Sequence, residues 1–332
     1  MSTRLTAAQD GSATLYGLMA GHEYDVTATD VTPAPSPAPS GIVVPKVPVG
    51  VPGSWVNVFA DAFAAPFGTG PGQNNRWWPN RGGSNPNEYR PGDNSNELQV
   101  YNASMVSQDA EGLRLRCQYS PNVGGTGKNY VGATIRQQSA PPGYSLFKWK
   151  PTAGQAWCLE IKWKLPKNTG EMDPAFWSTD PPWTAELDHP ELWGWPAPAG
   201  NYYSGCPVWI YATPSSTVRH ESYNVLDYGF DPTAGFHRFT TTLNADGSLD
   251  FYADGVHKWK VGAPGGTVNR PMMGLIVQNA LRKPTKRKPT KSSGFTSGYR
   301  DLQARYVAVY TDSAHAGQNY SNGGVAPGTV LG

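Results

Sequence analysis

Trp183-Thr184-Ala185-Glu186-Leu187-Asp188-His189-Pro190-Glu191-Leu192-Trp193 carries the densest chemistry in the chain. Read as a strand, it puts Glu186 and Asp188 on one face, because residues two apart point the same way. Glu191 falls on the opposite face unless one extra residue is inserted. A bulge at His189-Pro190 supplies that residue, and Pro190, which has no N–H to donate, suits a bulge better than a paired position. Three acids then line one face. Carboxylates so close repel one another, so stability does not explain the arrangement. Crowding splits their proton affinities, keeping one protonated near neutral pH while another stays ionised. The spacing alone leaves two other readings open, a solvated acidic edge and a calcium site.

The surrounding sequence sets the fold class. The 332 residues include 38 Gly and 31 Pro, about a fifth of the chain, which argues against long helices. The 12 Trp, 17 Tyr and 10 Phe argue against disorder. Short apolar runs at 112–117, 157–165, 208–212, 236–243, 248–253, 272–278 and 305–310 are strand-length and bounded by turn signals. Those signals include Asn244-Ala245-Asp246-Gly247 and Asp254-Gly255. Strands without intervening helices predict packed antiparallel sheets.

Four segments follow. Residues 1–32 contain Leu18, Gly21, Tyr24 and Val26, a spacing similar to the tyrosine corner of a fibronectin type III sandwich. The segment is too short for a whole module, so a remnant or docking segment is expected. Residues 33–53 read as a Pro-rich linker, 54–312 as the main domain and 313–332 as a flexible tail. No run approaches 18 apolar residues, so no membrane contact is expected, and Met1 opens no visible signal peptide. Cys117, Cys158 and Cys206 form no CxxC pair and read as buried free thiols.

The net charge of +2 hides a basic loop at 281–291, with Arg282, Lys283, Lys286, Arg287, Lys288 and Lys291. The remaining 21 basic residues against 25 acidic ones leave the body mildly acidic. One loop without interleaved aromatics is a thin basis for nucleic-acid binding. The chain has no HExxH, GxSxG or P-loop, and His189-Pro190-Glu191 is not followed by the PCxxC of zinc deaminases.

With its surroundings, the acidic stretch resembles the bulged ExDxxE signature of glycoside hydrolase family 16, the laminarinase and lichenase group. Asn96-Glu97-Leu98-Gln99-Val100-Tyr101 resembles the family's NELQxY segment. Ile161-Lys162-Trp163-Lys164-Leu165-Pro166, then Pro174-Ala175-Phe176-Trp177, resembles its IKLP…PAFW run. Phe236-His237-Arg238-Phe239, Phe251-Tyr252-Ala253-Asp254-Gly255 and Arg270-Pro271-Met272 resemble its FHxY, FYxDG and KPM segments. The ordered set covers about 55–311.

The resemblance implies an all-β protein, a β-jelly-roll sandwich of two antiparallel sheets (concanavalin A-like), whose concave sheet forms an open sugar cleft. It implies an endo-acting retaining glycoside hydrolase that cuts a β-linked polysaccharide, of β-glucan or galactan type, by double displacement. Glu186 would be the nucleophile, Glu191 the general acid/base, and Asp188 would hold a proton between them. Asn96, Trp177, Trp183 and Trp193 would bind sugar, with Trp77-Trp78 and Trp195 as further aromatic candidates.

Three departures matter. His189 stands at the bulge where the family has an apolar residue, and reads as structural. In Arg305-Tyr306-Val307-Ala308-Val309-Tyr310, arginine replaces the acid that in many family members serves a convex-face calcium ion, which counts against that calcium site without closing it; otherwise no cofactor and no metal are expected. The NLAVGG-like stretch is replaced by Gln278-Asn279-Ala280-Leu281, which runs into the basic loop. The competing reading is non-enzymatic, a carbohydrate-binding or virion-structural β-sandwich. Either way the expected partner is an extracellular or cell-surface polysaccharide. The expected location is extracellular or on a virion, as a phage tail protein joined to other tail proteins through residues 1–32.

Overall fold

A computed structural model describes residues 41–331 apart from 93–95, 168–171, 198–199, 213–216, 221–227, 263–269, 283–294 and 324. For 193–197, 200–212, 217–220 and 331 it describes the backbone alone. Residues 1–32, the polyproline stretch 33–40 and loop positions 283–291 therefore lie outside the described residues.

Strands that alternate apolar and polar residues must each bury one face, and here two curved sheets bury theirs against each other. The concave sheet runs in the order Thr217–His220, Gly200–Ala212, Ala185–Ala197, Met172–Thr179, Gly274–Leu281, Tyr130–Arg136, each strand antiparallel to the next. The opposing sheet is centred on Trp157–Lys164, flanked by His237–Leu243 on one side and the long Tyr299–Asp312 on the other. Leu159, Ile161, Phe239, Val307 and Val309 from this sheet meet Phe176, Leu187, Leu192, Leu275 and Val277 from the concave one. All are 1 % exposed or less, and burying each contributes roughly 1.5–3 kcal/mol. The architecture is the jelly-roll sandwich expected. Among the described residues the only helical turns are three short 3-10 turns.

Local chemistry sets the hairpins. Asp254 (φ 47°) and Gly255 (φ 80°) form the two-residue turn between Leu249–Ala253 and Val256–Val261, both in the left-handed conformation that a type I′ hairpin requires. Gly50 packs closely against this turn, since a side chain there would lie 2.2 Å from the Gly255 carbonyl oxygen.

Two sequence expectations change. Residues 41–53, read as linker, pack on the outer face of the second sheet. Val44 and Val51 are buried there with Tyr252, Tyr306 and Tyr310, and the Tyr310 hydroxyl donates to the Pro45 carbonyl at 2.9 Å. Residues after Asp312, read as a flexible tail, dock back onto the sandwich. Tyr320–Ser321 pairs with Lys148–Trp149, and Val330–Leu331 runs parallel to Trp55–Asp61. Asn322 accepts from Arg76 through both its backbone carbonyl and its side chain, and donates to the Val58 carbonyl at 2.8 Å. Polar composition suggested disorder, but these amides close the end of the core.

Candidate active site

The acids lie on the middle strand of the concave sheet. Asp188 is opposite Trp177 on one neighbour and Val208 on the other; Glu191 is opposite Ala175 and Cys206. Three residues on the acid strand thus span two on each neighbour, a bulge at His189-Pro190. Glu186, Asp188 and Glu191 consequently share one face with Thr179, Trp177 and Ala175. Asp188 and Glu191 are nearly buried, at 3 % and 5 % exposure, and Glu186 is more open.

The bulge turns His189 inward. Its ring is fully buried between Phe176 and Trp149, with Nε2 2.9 Å from the Ser178 hydroxyl. Burial lowers its pKa to about 3, so the imidazole is neutral at physiological pH. The His189 carbonyl accepts from Thr241 Oγ1 of the opposing sheet at 2.8 Å. The bulge is thereby anchored from beneath.

Before the acids, Pro181-Pro182-Trp183 forms a turn organised by Asp180. The Asp180 carboxylate accepts from the Thr184 and Ala185 N–H groups at 2.8 and 2.9 Å and from the Thr184 hydroxyl at 2.8 Å, and its carbonyl accepts from Trp183 N–H at 2.9 Å. Trp183 adopts φ 57°, a conformation that costs a bulky residue roughly 1–3 kcal/mol. That strain aims the indole over the cleft. Trp183 is 40 % exposed, its ring centroid lies 5.4 Å from that of Trp177, and its Nε1 donates to Glu186 Oε2. Trp177 is nearly buried beneath it, packed with Ala175 and Ile276 and with the Arg136 guanidinium 5.9 Å over its ring.

At the far end of the acid row stands Arg282. It immediately follows Gly274–Leu281, and its side chain is 16 % exposed. Each guanidinium nitrogen faces a different carboxylate: Nε lies 2.6 Å from Asp173 Oδ2, Nη1 3.2 Å from Glu191 Oε1 and Nη2 3.8 Å from Glu97 Oε1. The other Glu97 oxygen accepts from the Tyr101 hydroxyl at 2.7 Å. Although burial opposes its charge, Asp173, Glu191 and Glu97 hold the Arg282 pKa well above its ordinary value.

Of the sequence candidates, Glu186, Asp188, Glu191, Trp177 and Trp183 converge on this face. Asn96 is exposed, one residue from Glu97, whose backbone bridges Arg282. Trp193, on the acid strand, lies opposite Ser204 of Gly200–Ala212, and its side chain, like that of Trp195, is outside the described residues. Trp77 and Trp78 do not offer cleft faces. Trp77 is wholly buried with Nε1 donating to Asp61 at 2.8 Å, and Trp78 is 2 % exposed against Tyr144. Sequence reasoning missed Asp173, Glu97 and Arg282 as members of the cluster. By sequence Arg282 belongs to the basic loop, because its neighbours there are cationic. Only the strand register turns it inward.

No protein-family profile and no curated protein matches the sequence. Solved structures do match in shape. The laminarinase catalytic domain from Thermotoga maritima aligns with a TM-score of 0.54 and 18 % identity over 78 % of this chain and 99 % of that one. A family 16 protein of the Bacteroides ovatus mixed-linkage glucan locus, in complex with a G4G4G3G product, aligns at 0.54 and 17 % over 76 % and 99 %. β-Agarase A in complex with oligoagarose aligns at 0.56 and 17 % over 80 % and 97 %. The fold is that of the family 16 glycoside hydrolases. At such identity the likeness concerns the fold, and the chemistry rests on this chain's own residues.

On the convex side, Arg305 pairs with Glu111 at 3.1 Å and lies 4.2 Å over the Phe236 ring. A guanidinium in that position does not fit a bound cation.

Proposed function

We propose that the chain is an endo-acting retaining glycoside hydrolase of a β-linked polysaccharide, of β-glucan or galactan type. The observation that carries the proposal is the bulged acid strand. Glu186, Asp188 and Glu191 share one face of the concave sheet, with an exposed indole at one end and a buried guanidinium at the other. In this reading Glu186 attacks the anomeric carbon and becomes an ester to the sugar, while Glu191 gives its proton to the departing oxygen. Glu191 then takes a proton from water, and the resulting hydroxide releases the sugar from Glu186. Asp188 shares a proton with its neighbours and keeps Glu186 ionised between turnovers. Trp183 supplies an apolar face for a pyranose ring next to the reacting centre.

The sandwich it shares in outline is used by a laminarinase and a β-agarase, which supports this substrate class. The reading needs no resident metal ion, because Arg305 supplies fixed positive charge on the convex face. The polymer would be met outside a cytoplasm, free or on a virion whose tail is joined through residues 1–32. Antibody labelling of purified virions tests that location.

Reducing-end release from a panel of β-glucans and galactans tests the activity. Wild type should release oligosaccharides from at least one polymer, and Glu186→Gln and Glu191→Gln should not. Binding of polymer without cleavage by wild type would replace the enzyme with a carbohydrate-binding sandwich.

A further inference from the structure

We propose that Arg282 and Asp173 are a positioning pair that orients the Glu191 carboxyl and sets its proton affinity by opposing charges. The proposal rests on the hydrolase reading for its catalytic meaning but not for its geometry. Arg282 is held by backbone as well as by charge: Leu281 N–H donates to Gln99 Oε1 at 3.0 Å, Leu98 N–H donates to the Leu281 carbonyl at 2.9 Å, and Glu97 and Arg282 form an isolated bridge. The guanidinium is thus preorganised on the strand flanking Met172–Thr179, from which Asp173 projects to meet it at 2.6 Å. Stability alone is a poor reason for such a site, because desolvation of a buried ion pair roughly offsets its attraction.

The groups facing Glu191 come from several elements. Its own strand supplies Glu186 and Asp188, and the adjacent strand Met172–Thr179 supplies Asp173. Among the described residues, Arg282, Glu97 and Tyr101 also belong to this cluster. Arg282 is a cation in contact with Glu191, and it faces two more carboxylates. It favours the ionised form of Glu191, whereas Asp173, on the same guanidinium, favours the protonated form and draws part of the guanidinium's attraction to itself. A general acid must begin protonated, and a base must end ionised. A cation shared between Glu191 and Asp173 keeps both forms accessible.

The pair predicts opposite signs. In full-length protein carrying carbon-13-labelled glutamate, with Glu191 assigned through Glu191→Gln, the Glu191 titration is followed by NMR. Arg282→Gln should raise the midpoint by about one unit or more, and Asp173→Asn should lower it by a similar amount. Arg282→Lys should hold the midpoint within about half a unit but reduce kcat, because a point charge replaces a planar fork. The high-pH limb of kcat should follow the same signs. Shifts of one sign in both neutral variants, or no shift in either, overturn the proposal. If Arg282→Gln fails to fold, Asp173→Asn decides alone: a lowered midpoint supports the pair, and an unchanged or raised one defeats it. Inactivity of wild type on every polymer would defeat the hydrolase reading, while the titration would still decide the pair.

Discussion

Glu160 and Glu191 are both buried glutamates on central strands, one in each sheet, and their surroundings differ in kind. Glu160 accepts from the Tyr306 hydroxyl at 2.7 Å and the Thr240 hydroxyl at 3.0 Å, beneath the covering segment that contains Val44 and Val51. Burial raises its pKa despite those bonds and the nearby Arg238. Glu191 faces a guanidinium and a row of carboxylates at an open cleft. Burial alone perturbs a carboxyl. It becomes reactive only when a second titrating partner and a path for substrate accompany it.

Removing the acids tests that contrast most sharply. Glu186→Gln and Glu191→Gln should each lower kcat/KM by at least about a thousandfold, about 4 kcal/mol, with Tm nearly unchanged. Glu160→Gln should keep kcat/KM within about threefold and lower Tm. Equal loss of activity from Glu160→Gln in folded protein would erase the distinction.

The inward face of the acid strand gives the next effect. The folded pKa of His189, about 3, lies below the unfolded value of 6.5, so the unfolded chain takes up the proton first and acidification favours unfolding. Between pH 6.5 and 4 this contributes a loss of about 3 kcal/mol. Urea titrations of wild type and His189→Gln should diverge by that amount across this window, with wild type the more acid-sensitive. Parallel curves would mean that His189 titrates normally and is not sealed in the core.

Tyr306→Phe removes one donor from Glu160 and should cost about 2 kcal/mol in urea unfolding, with kcat untouched. A matching fall in kcat would couple the two carboxyl sites. The smallest effect belongs to the sugar platform. Trp183→Ala should raise KM about tenfold, about 1.4 kcal/mol, with a smaller change in kcat. A loss confined to kcat would instead assign Trp183 to holding Glu186 through its indole N–H.

Much of the site was legible because strand periodicity is a local rule. Glu186, Asp188 and a bulge at Pro190 place Glu191 on the shared face from spacing alone, and the observed register has that offset. Asp254-Gly255 was equally readable, since its hairpin geometry depends on two residues. Trp77 was not, because a tryptophan looks the same whether it faces sugar or Asp61. The tail reads as flexible for a related reason: the partner of Asn322 is Arg76, 246 residues away in sequence.

The amino-acid order by itself thus determined the strands, their turns and the face on which the three acids lie, because each follows from contacts within a few residues. The tertiary structure alone decided which charges surround them. Arg282 is loop-like in sequence and cleft-facing in space because the neighbouring strand brings Asp173, the next strand beyond it Glu191, and an isolated bridge Glu97. Electrostatic interactions depend on separation in space and on burial, and neither is encoded by nearness in sequence.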